Sequence, residues 1–273
     1  MRLTDEEIEN GELTEEHFTE AVMELKVRGF CAFENLMPET WTQQLRDAFL
    51  PMLNDFAAEN PPNRGPNRYG VLLPFQKPFA EPWVVANPIV MKILRQLLGE
   101  QVICTFFTSD NAMPGSYLQH PHSDADPLYP GQDVAVPPFA YMVNVYIVDS
   151  TEHNGPVEIW PYGTHLISDP QVYAEHNRFV DIDARRASAL GRFSESIPGQ
   201  RVVLPAGAVT IRDTRMWHRG TVNETDQPRP MLGFICNRPW YTHAADAHVH
   251  IPRADYESLA PEVQELFKNA VIE

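Results

Sequence analysis

Cysteine is scarce in this chain: Cys31, Cys104 and Cys236 are the only three in 273 residues, far apart and in no CxxC or CxxxxC spacing. That excludes a disulfide framework and a cysteine-held zinc site, and it sets the expectation of a reduced, intracellular protein. Positive charge is also short, with 21 Lys and Arg against 37 Asp and Glu and a net charge of −16. Such a surface repels phosphate backbones and anionic membranes, so neither nucleic acid nor a membrane is an expected partner. No apolar run approaches the ~18 residues of a membrane span. The opening MRLTDEEIENGELTEE is acidic where a secretory signal would be basic and then apolar, which points to a cytoplasmic location. Glycine, at 14, is outnumbered by proline, at 25. The prolines cluster in 59–90 and 114–138, where they interrupt helices and central strands and imply long shaped loops.

What is present is ordinary globular composition, 43% hydrophobic and 10% aromatic, without internal repeats or low-complexity tracts. A single domain over 1–273 is expected, with 1–100 as mostly helical support and lid, 101–241 as the core, and 242–273 as a tail and helix. Thr14 caps a helix over 14–27 whose Phe18, Val22 and Leu25 share a face. Phe30 to Phe33 reads as a strand, 39–56 as a second amphipathic helix, and Pro88 to Leu98 as a third, closed by Gly99. After Gly99 come short β-rich runs at 102–108, 140–148, 157–160, 201–204, 208–212 and 231–236, and residues 255–271 read as a closing helix. Helices first and strands afterwards fit a mainly β jelly roll or barrel buttressed by helices better than an alternating parallel α/β sheet.

Metal-capable side chains concentrate in Gln119-His120-Pro121-His122-Ser123-Asp124-Ala125-Asp126. In an extended segment alternate residues share a face, so His122 and Asp124 can grip one ion, and one distant His would complete a facial triad. By itself His-x-Asp is weak: with 10 histidines in the chain, about half a match is expected by chance. A loop histidine hydrogen-bonded to Asp124 is the competing reading. His218 lies in Trp217-His218-Arg219-Gly220, and Arg229 follows in Pro228-Arg229-Pro230 just ahead of a strand. Two neighbouring antiparallel strands could bring both side chains into one cavity.

These stretches resemble the phytanoyl-CoA dioxygenase family of Fe(II)- and 2-oxoglutarate-dependent oxygenases, over about Gly29 to Tyr241. The resemblance rests on His122-Ser123-Asp124, Asn154-Gly155-Pro156, Pro161-Tyr162-Gly163-Thr164-His165, Trp217-His218-Arg219-Gly220 with Asn223, and Arg229. It implies a double-stranded β-helix of the cupin-like kind in which His122, Asp124 and His218 hold Fe(II). Arg229 would bind the far carboxylate of 2-oxoglutarate, with Gln119 and Asn144 as further contacts to that co-substrate and O2 as the oxidant. Two neutral imidazoles and a carboxylate leave three positions on an octahedral ion for a bidentate 2-oxo acid and dioxygen, and Arg229 supplies a permanent forked donor. Tyr162 replaces a turn proline usual in relatives. Val157 stands where some relatives carry a co-substrate-binding Thr. A carboxylate at 124, where related halogenases have a small residue, implies oxygen chemistry: hydroxylation, desaturation or cyclisation of a small organic molecule, with a secondary metabolite favoured.

Two rivals remain. His120, His122 and Asp124 also resemble the start of the metallo-β-lactamase-like zinc motif, although its last His is missing here. A cupin-like binding protein without turnover is the other, and an intact ligand set with Arg229 speaks against it. The loops 60–83 and 127–138 are the expected pocket walls, with Arg68 and Tyr129 as candidate substrate contacts. His165 is expected to fix a turn, and the tail His243 to His250 to be solvated. The acidity of the chain favours a neutral or cationic small-molecule substrate.

Overall fold

A computed structural model describes residues 1–125, 128–129, 132, 134–167, 189–241 and 249–273. The tail histidines at 243 and 248, and parts of the 127–138 loop, lie outside the described residues.

The amino-terminal part supplies helices α1 (Asp5–Asn10), α2 (Glu15–Arg28), α3 (Glu39–Glu59), α4 (Pro82–Val85) and α5 (Pro88–Leu98). Their ends follow local chemistry. The Thr14 hydroxyl accepts from the His17 N–H at the start of α2, and the Asn87 side chain accepts from the N–H groups of Ile89 and Val90 while Pro88 occupies the first turn of α5.

Two antiparallel sheets carry most of the described strands, while His250–Ile251 pairs in parallel with Val271–Ile272. The larger, in the order β1-β7-β4-β9-β3-β2, comprises β1 (Phe30–Phe33), β2 (Arg68–Tyr69), β3 (Ile103–Ala112), β4 (Ala140–Tyr146), β7 (Val209–Asp213) and β9 (Arg229–Asn237). The smaller, β6-β5-β8, comprises β5 (Val157–Ile159), β6 (Gln200–Arg201) and β8 (His218–Gly220). This is the jelly-roll arrangement expected from the sequence, with the sheets facing each other and no closed barrel among the described residues.

Period-two alternation divides the large sheet between two environments. Tyr141, Val143 and Val145 of β4, Val209 and Ile211 of β7, and Leu232, Phe234 and Cys236 of β9 join the main core with Leu25, Leu45, Phe49, Ile93 and Leu94 of the helices. Each such side chain taken fully out of water contributes roughly 1.5–3 kcal/mol. The alternate residues Met142 and Asn144 of β4, Arg212 of β7, and Met231, Gly233 and Ile235 of β9 line a cavity on the other face, toward the small sheet. The helices thus anchor one face of the sheet and leave the other for chemistry.

Three local readings need correction. The closing helix expected over 255–271 is two short helices, Arg253–Ser258 and Pro261–Leu266, because Pro261 cannot continue a helix and instead starts one. The strand expected over 201–204 is confined to Gln200–Arg201, with Leu204 making only an isolated bridge to Ser150. The segment 218–220, which the run pattern left between strands, is β8.

Candidate metal and co-substrate site

His122 and His218 are brought together by backbone pairing. The His122 N–H donates to the His218 carbonyl and the His218 N–H to the His122 carbonyl, each at 2.9 Å, which puts the imidazoles on one side with ring centroids 4.4 Å apart. Asp124, two residues along the same extended segment, is fixed by its own N–H donating to the Thr214 carbonyl at 2.7 Å. One donor atom from each of His122, Asp124 and His218 lies within 4.8 Å of the others. Nδ1 of His122 is 2.7 Å from the His120 carbonyl and Nδ1 of His218 is 3.1 Å from the Met216 carbonyl. A proton on each Nδ1 would direct the Nε2 lone pairs to a shared ion, as metal-binding histidines usually do when the other ring nitrogen donates to a carbonyl. Nε2 of His218 faces Oδ1 of Asp124 at 3.6 Å.

The protonation states suit metal. Burial would raise the Asp124 carboxyl, but its interactions with His218 and with the permanently charged Arg212 guanidinium outweigh it and hold the group well below the usual carboxylate range. Burial, reinforced by the Arg212 charge, pushes His218 well below the ordinary histidine value, so its imidazole is neutral at physiological pH. His120 is not in the cluster. The zinc arrangement that would use His120 with His122 and Asp124 is therefore not assembled.

The surrounding motifs hold these ligands in place. The Thr164 hydroxyl donates to the Trp160 carbonyl at 2.7 Å and accepts from the Trp217 N–H at 3.2 Å, tying the 161–165 turn to the strand that carries His218. His165 is buried and its Nε2 lies 3.2 Å from the Lys26 carbonyl, a structural placement away from the cluster. On the outer face of the small sheet, Arg219 Nε meets Glu158 at 2.5 Å across the β5–β8 pair.

The cavity, about 170 Å³, runs from His122, Asp124 and His218 past Gly220, Asn144 and Met231 to Asp110. Gln119 and Asn144 both line it, as the resemblance implies. The Gln119 Oε1 accepts from the Gly220 N–H at 2.8 Å, and its Nε2 donates to the Arg64 carbonyl at 3.3 Å. Arg229 begins β9 on the face that also carries Met231, Gly233 and Ile235, and is fully buried. Its Nε and Nη2 donate to the Gly155 carbonyl at 3.2 and 2.8 Å and its Nη1 to the Asp110 carbonyl at 3.3 Å. These bonds explain two motifs. Gly155 takes φ +82°, and a Cβ there would lie 3.0 Å from Ala112. Buried Asn223 shapes the turn between His218 and Arg229 by donating to the carbonyls of Ala112 and Gln227, both at 2.8 Å.

Arg68 and Tyr129 are not where substrate contacts were expected. Arg68 is 0% exposed: its Nε donates to the Tyr117 carbonyl at 3.0 Å and its Nη2 to the Thr221 carbonyl, while Nη1 is a buried nitrogen without a hydrogen-bond partner. Across the sheet Arg68 is opposite Ala112, which in turn is opposite Arg229, so the small Ala112 side chain lies between the two arginines. Burial, with Arg229 adding to it, pushes the Arg68 guanidinium down to about 10. Tyr129 is exposed and lines a separate small pocket with Leu128, Phe139 and Leu166. Among residues not foreseen, Arg212 lines the metal cavity and Arg64 lies over the Phe106 ring at 5.8 Å. Arg64 falls within the expected 60–83 wall, but nothing in the sequence singled it out. Arg212 had no signal beyond a charged residue at an alternate strand position.

Known proteins bear on the same site. A curated relative, "Dioxygenase af480" of Aspergillus fumigatus, is 24% identical over 186 residues, covering 67% of this chain and 53% of the relative, so the chain spans about half that protein's length. Two solved structures share the fold. The carbocyclase SnoK from nogalamycin biosynthesis has a TM-score of 0.61 at 18% identity, covering 85% of each chain. The epimerase SnoN, in complex with Fe3+, alpha ketoglutarate and nogalamycin RO, has a TM-score of 0.60 at 16% identity, covering 82% of this chain and 85% of its own. The phytanoyl-CoA dioxygenase (PhyH) family model matches residues 25–231, about three quarters of the sequence and the whole stretch from α2 through His122, Asp124 and His218 to the start of β9, and the chain belongs to that family.

Proposed function

We propose that the protein is a non-haem Fe(II)- and 2-oxoglutarate-dependent oxygenase that oxidises a C–H bond of a small organic molecule. The observation that carries this reading is a His122–Asp124–His218 donor set lining a cavity on the face of the large sheet that also carries the buried guanidinium of Arg229, which donates to the carbonyl of the cavity-lining Asp110. The donors fit iron: two imidazoles, that of His218 neutral at physiological pH, and one carboxylate held ionised would leave positions free on a bound ion. Bound iron with 2-oxoglutarate and dioxygen supplies the oxidation, the co-substrate leaving as succinate and carbon dioxide.

The chain's own groups then do the positioning. His122, Asp124 and His218 hold the ion. Arg229 has five N–H groups, three of them committed to carbonyls, and offers the remainder to a far carboxylate. Arg68, with its unpartnered Nη1 one strand beyond Ala112, adds a second cation at that end, in place of the direct substrate contact first expected of it. Gln119 and Asn144 line the cavity beside the donor set. Phe106, Met142 and Ile235 present apolar surface that restricts water and suits an apolar substrate body. The relatives named for nogalamycin biosynthesis favour a secondary metabolite as substrate, and hydroxylation, desaturation and cyclisation are the outcomes this site could direct.

The test is succinate formation from 2-oxoglutarate, followed by NMR in the presence of Fe(II) and oxygen, for the wild type and Arg229→Met. Slow substrate-independent turnover is expected in the wild type, with the half-saturating 2-oxoglutarate concentration raised about 100-fold in the variant, as loss of a charge-assisted bidentate pair would cause. Absence of succinate from the wild type at any co-substrate concentration would reject the reading.

A further inference from the structure

Arg212 has no role in the scheme above, yet it is the most deeply placed charge beside the metal donors. It sits in β7, where its strand neighbours are Phe30 on one side and Met142 on the other, and it is 5% exposed. These surroundings would accept an apolar side chain, and a buried ion pair is commonly no more stabilising than well-packed apolar residues of the same volume. The apolar strand neighbours therefore do not account for a guanidinium here. Its contacts do point to a role: Nη2 donates to Oδ2 of Asp124 at 2.5 Å, and Nη1 is 3.0 Å from Nδ1 of His218. The second contact competes with the Met216 carbonyl for the same nitrogen. With a metal on Nε2 the Nδ1 carries its proton and donates to Met216, and the guanidinium is left holding Asp124 alone.

We infer that Arg212 is a positioning residue that occupies Oδ2 of Asp124 and so restricts this ligand to single-oxygen coordination through Oδ1. The inference rests on the oxygenase reading above. A carboxylate can bind a cation through one oxygen or two. Were Oδ2 released, Asp124 could close on the ion with both oxygens and take one of the three positions that a bidentate 2-oxo acid and dioxygen require. The guanidinium also withdraws electron density from the carboxylate, making it a weaker donor to iron.

The experiment uses the full chain with Arg212→Met, which keeps the volume and suits the Phe30–Met142 setting, and with Arg212→Lys, which keeps the charge but not the fork. Two readouts that do not depend on turnover are taken: calorimetric 2-oxoglutarate affinity of the Mn(II)-loaded protein, and the position of the visible charge-transfer band of the anaerobic Fe(II)–2-oxoglutarate complex. For Arg212→Met the expected results are about 10-fold weaker 2-oxoglutarate binding, in line with losing a hydrogen bond that orients a metal ligand, and a band moved to longer wavelength because the carboxylate has become a stronger donor. Arg212→Lys should fall between the two. A purely structural role would change the melting temperature without moving the band. Either variant, folded and showing wild-type affinity and wild-type band position, overturns the inference while leaving the oxygenase reading intact. A wild type with no band at all overturns both.

Discussion

Gly220→Ala is the sharpest perturbation of the carboxylate end of the cavity, because it adds one methyl group and removes no functional side chain. A Cβ built on Gly220 would lie 2.5 Å from Cζ and 2.7 Å from Nη2 of Arg68. Favourable contacts between carbon atoms begin near ~3.5 Å, so the guanidinium must retreat by about 1 Å. It cannot swing into solvent, being fully buried, and any retreat stretches its bonds to the Tyr117 and Thr221 carbonyls. Overpacking of this kind costs roughly 1–3 kcal/mol, which should appear as a modest fall in melting temperature. If Arg68 and Arg229 together hold the far carboxylate, displacing one of them costs a charge-assisted hydrogen bond of about 1.5–3 kcal/mol. By isothermal titration of the Mn(II)-loaded protein, 2-oxoglutarate should then bind about 10- to 100-fold more weakly. Mn(II) affinity should stay within about twofold, since His122, Asp124 and His218 are untouched. Wild-type 2-oxoglutarate affinity in folded Gly220→Ala would refute the placement of the carboxylate beside Arg68.

Two further outcomes are expected. His218 is held below its unfolded protonation range, so the unfolded chain binds more protons as pH drops below about 6.5. The stability it contributes is therefore complete above that pH and is lost as pH falls, with a slope of at most about 1.4 kcal/mol per pH unit. Thermal melts of metal-free protein between pH 7 and pH 5 should show this decline, and His218→Gln should flatten it; identical pH profiles would count against a neutral buried imidazole. Tyr129→Ala should leave Mn(II) and 2-oxoglutarate affinities unchanged, because Tyr129 lies in a pocket apart from the metal cavity; a tenfold loss in either would place it back in the site.

The cluster of His122, Asp124 and His218 was legible through the family resemblance: an extended His-x-Asp puts both donors on one face but is weak alone, and the resemblance supplied the distant histidine. Arg229 followed from its offset and from the strand it precedes. Helix α5 was legible to the residue from Pro88 to the closing Gly99, whereas α1, with its Thr4–Glu7 capping box, was passed over. Arg68 was read as a substrate contact because Asn67-Arg68-Tyr69 sits in a proline-rich stretch expected to wall the pocket. Nothing local announces that two of its residues pair with β3 and turn the arginine inward. Arg212 was invisible for a related reason, since a charged residue alternating with Val209 and Ile211 looks like the solvent side of a strand. Only the second sheet, folded over it, makes that face an interior. The C-terminal break at Pro261 could have been anticipated, since proline inside a helical pattern stops it.

The central claim is that His122, Asp124 and His218 hold iron in a form able to chelate 2-oxoglutarate. Its most direct test is an anaerobic titration of metal-free protein with Fe(II) and then 2-oxoglutarate, watched by visible absorption, with His218→Ala alongside. A charge-transfer band that rises to one equivalent in the wild type and is absent from the variant is the predicted result. A wild type without a band, or a band that persists in His218→Ala, would contradict the assignment of the site.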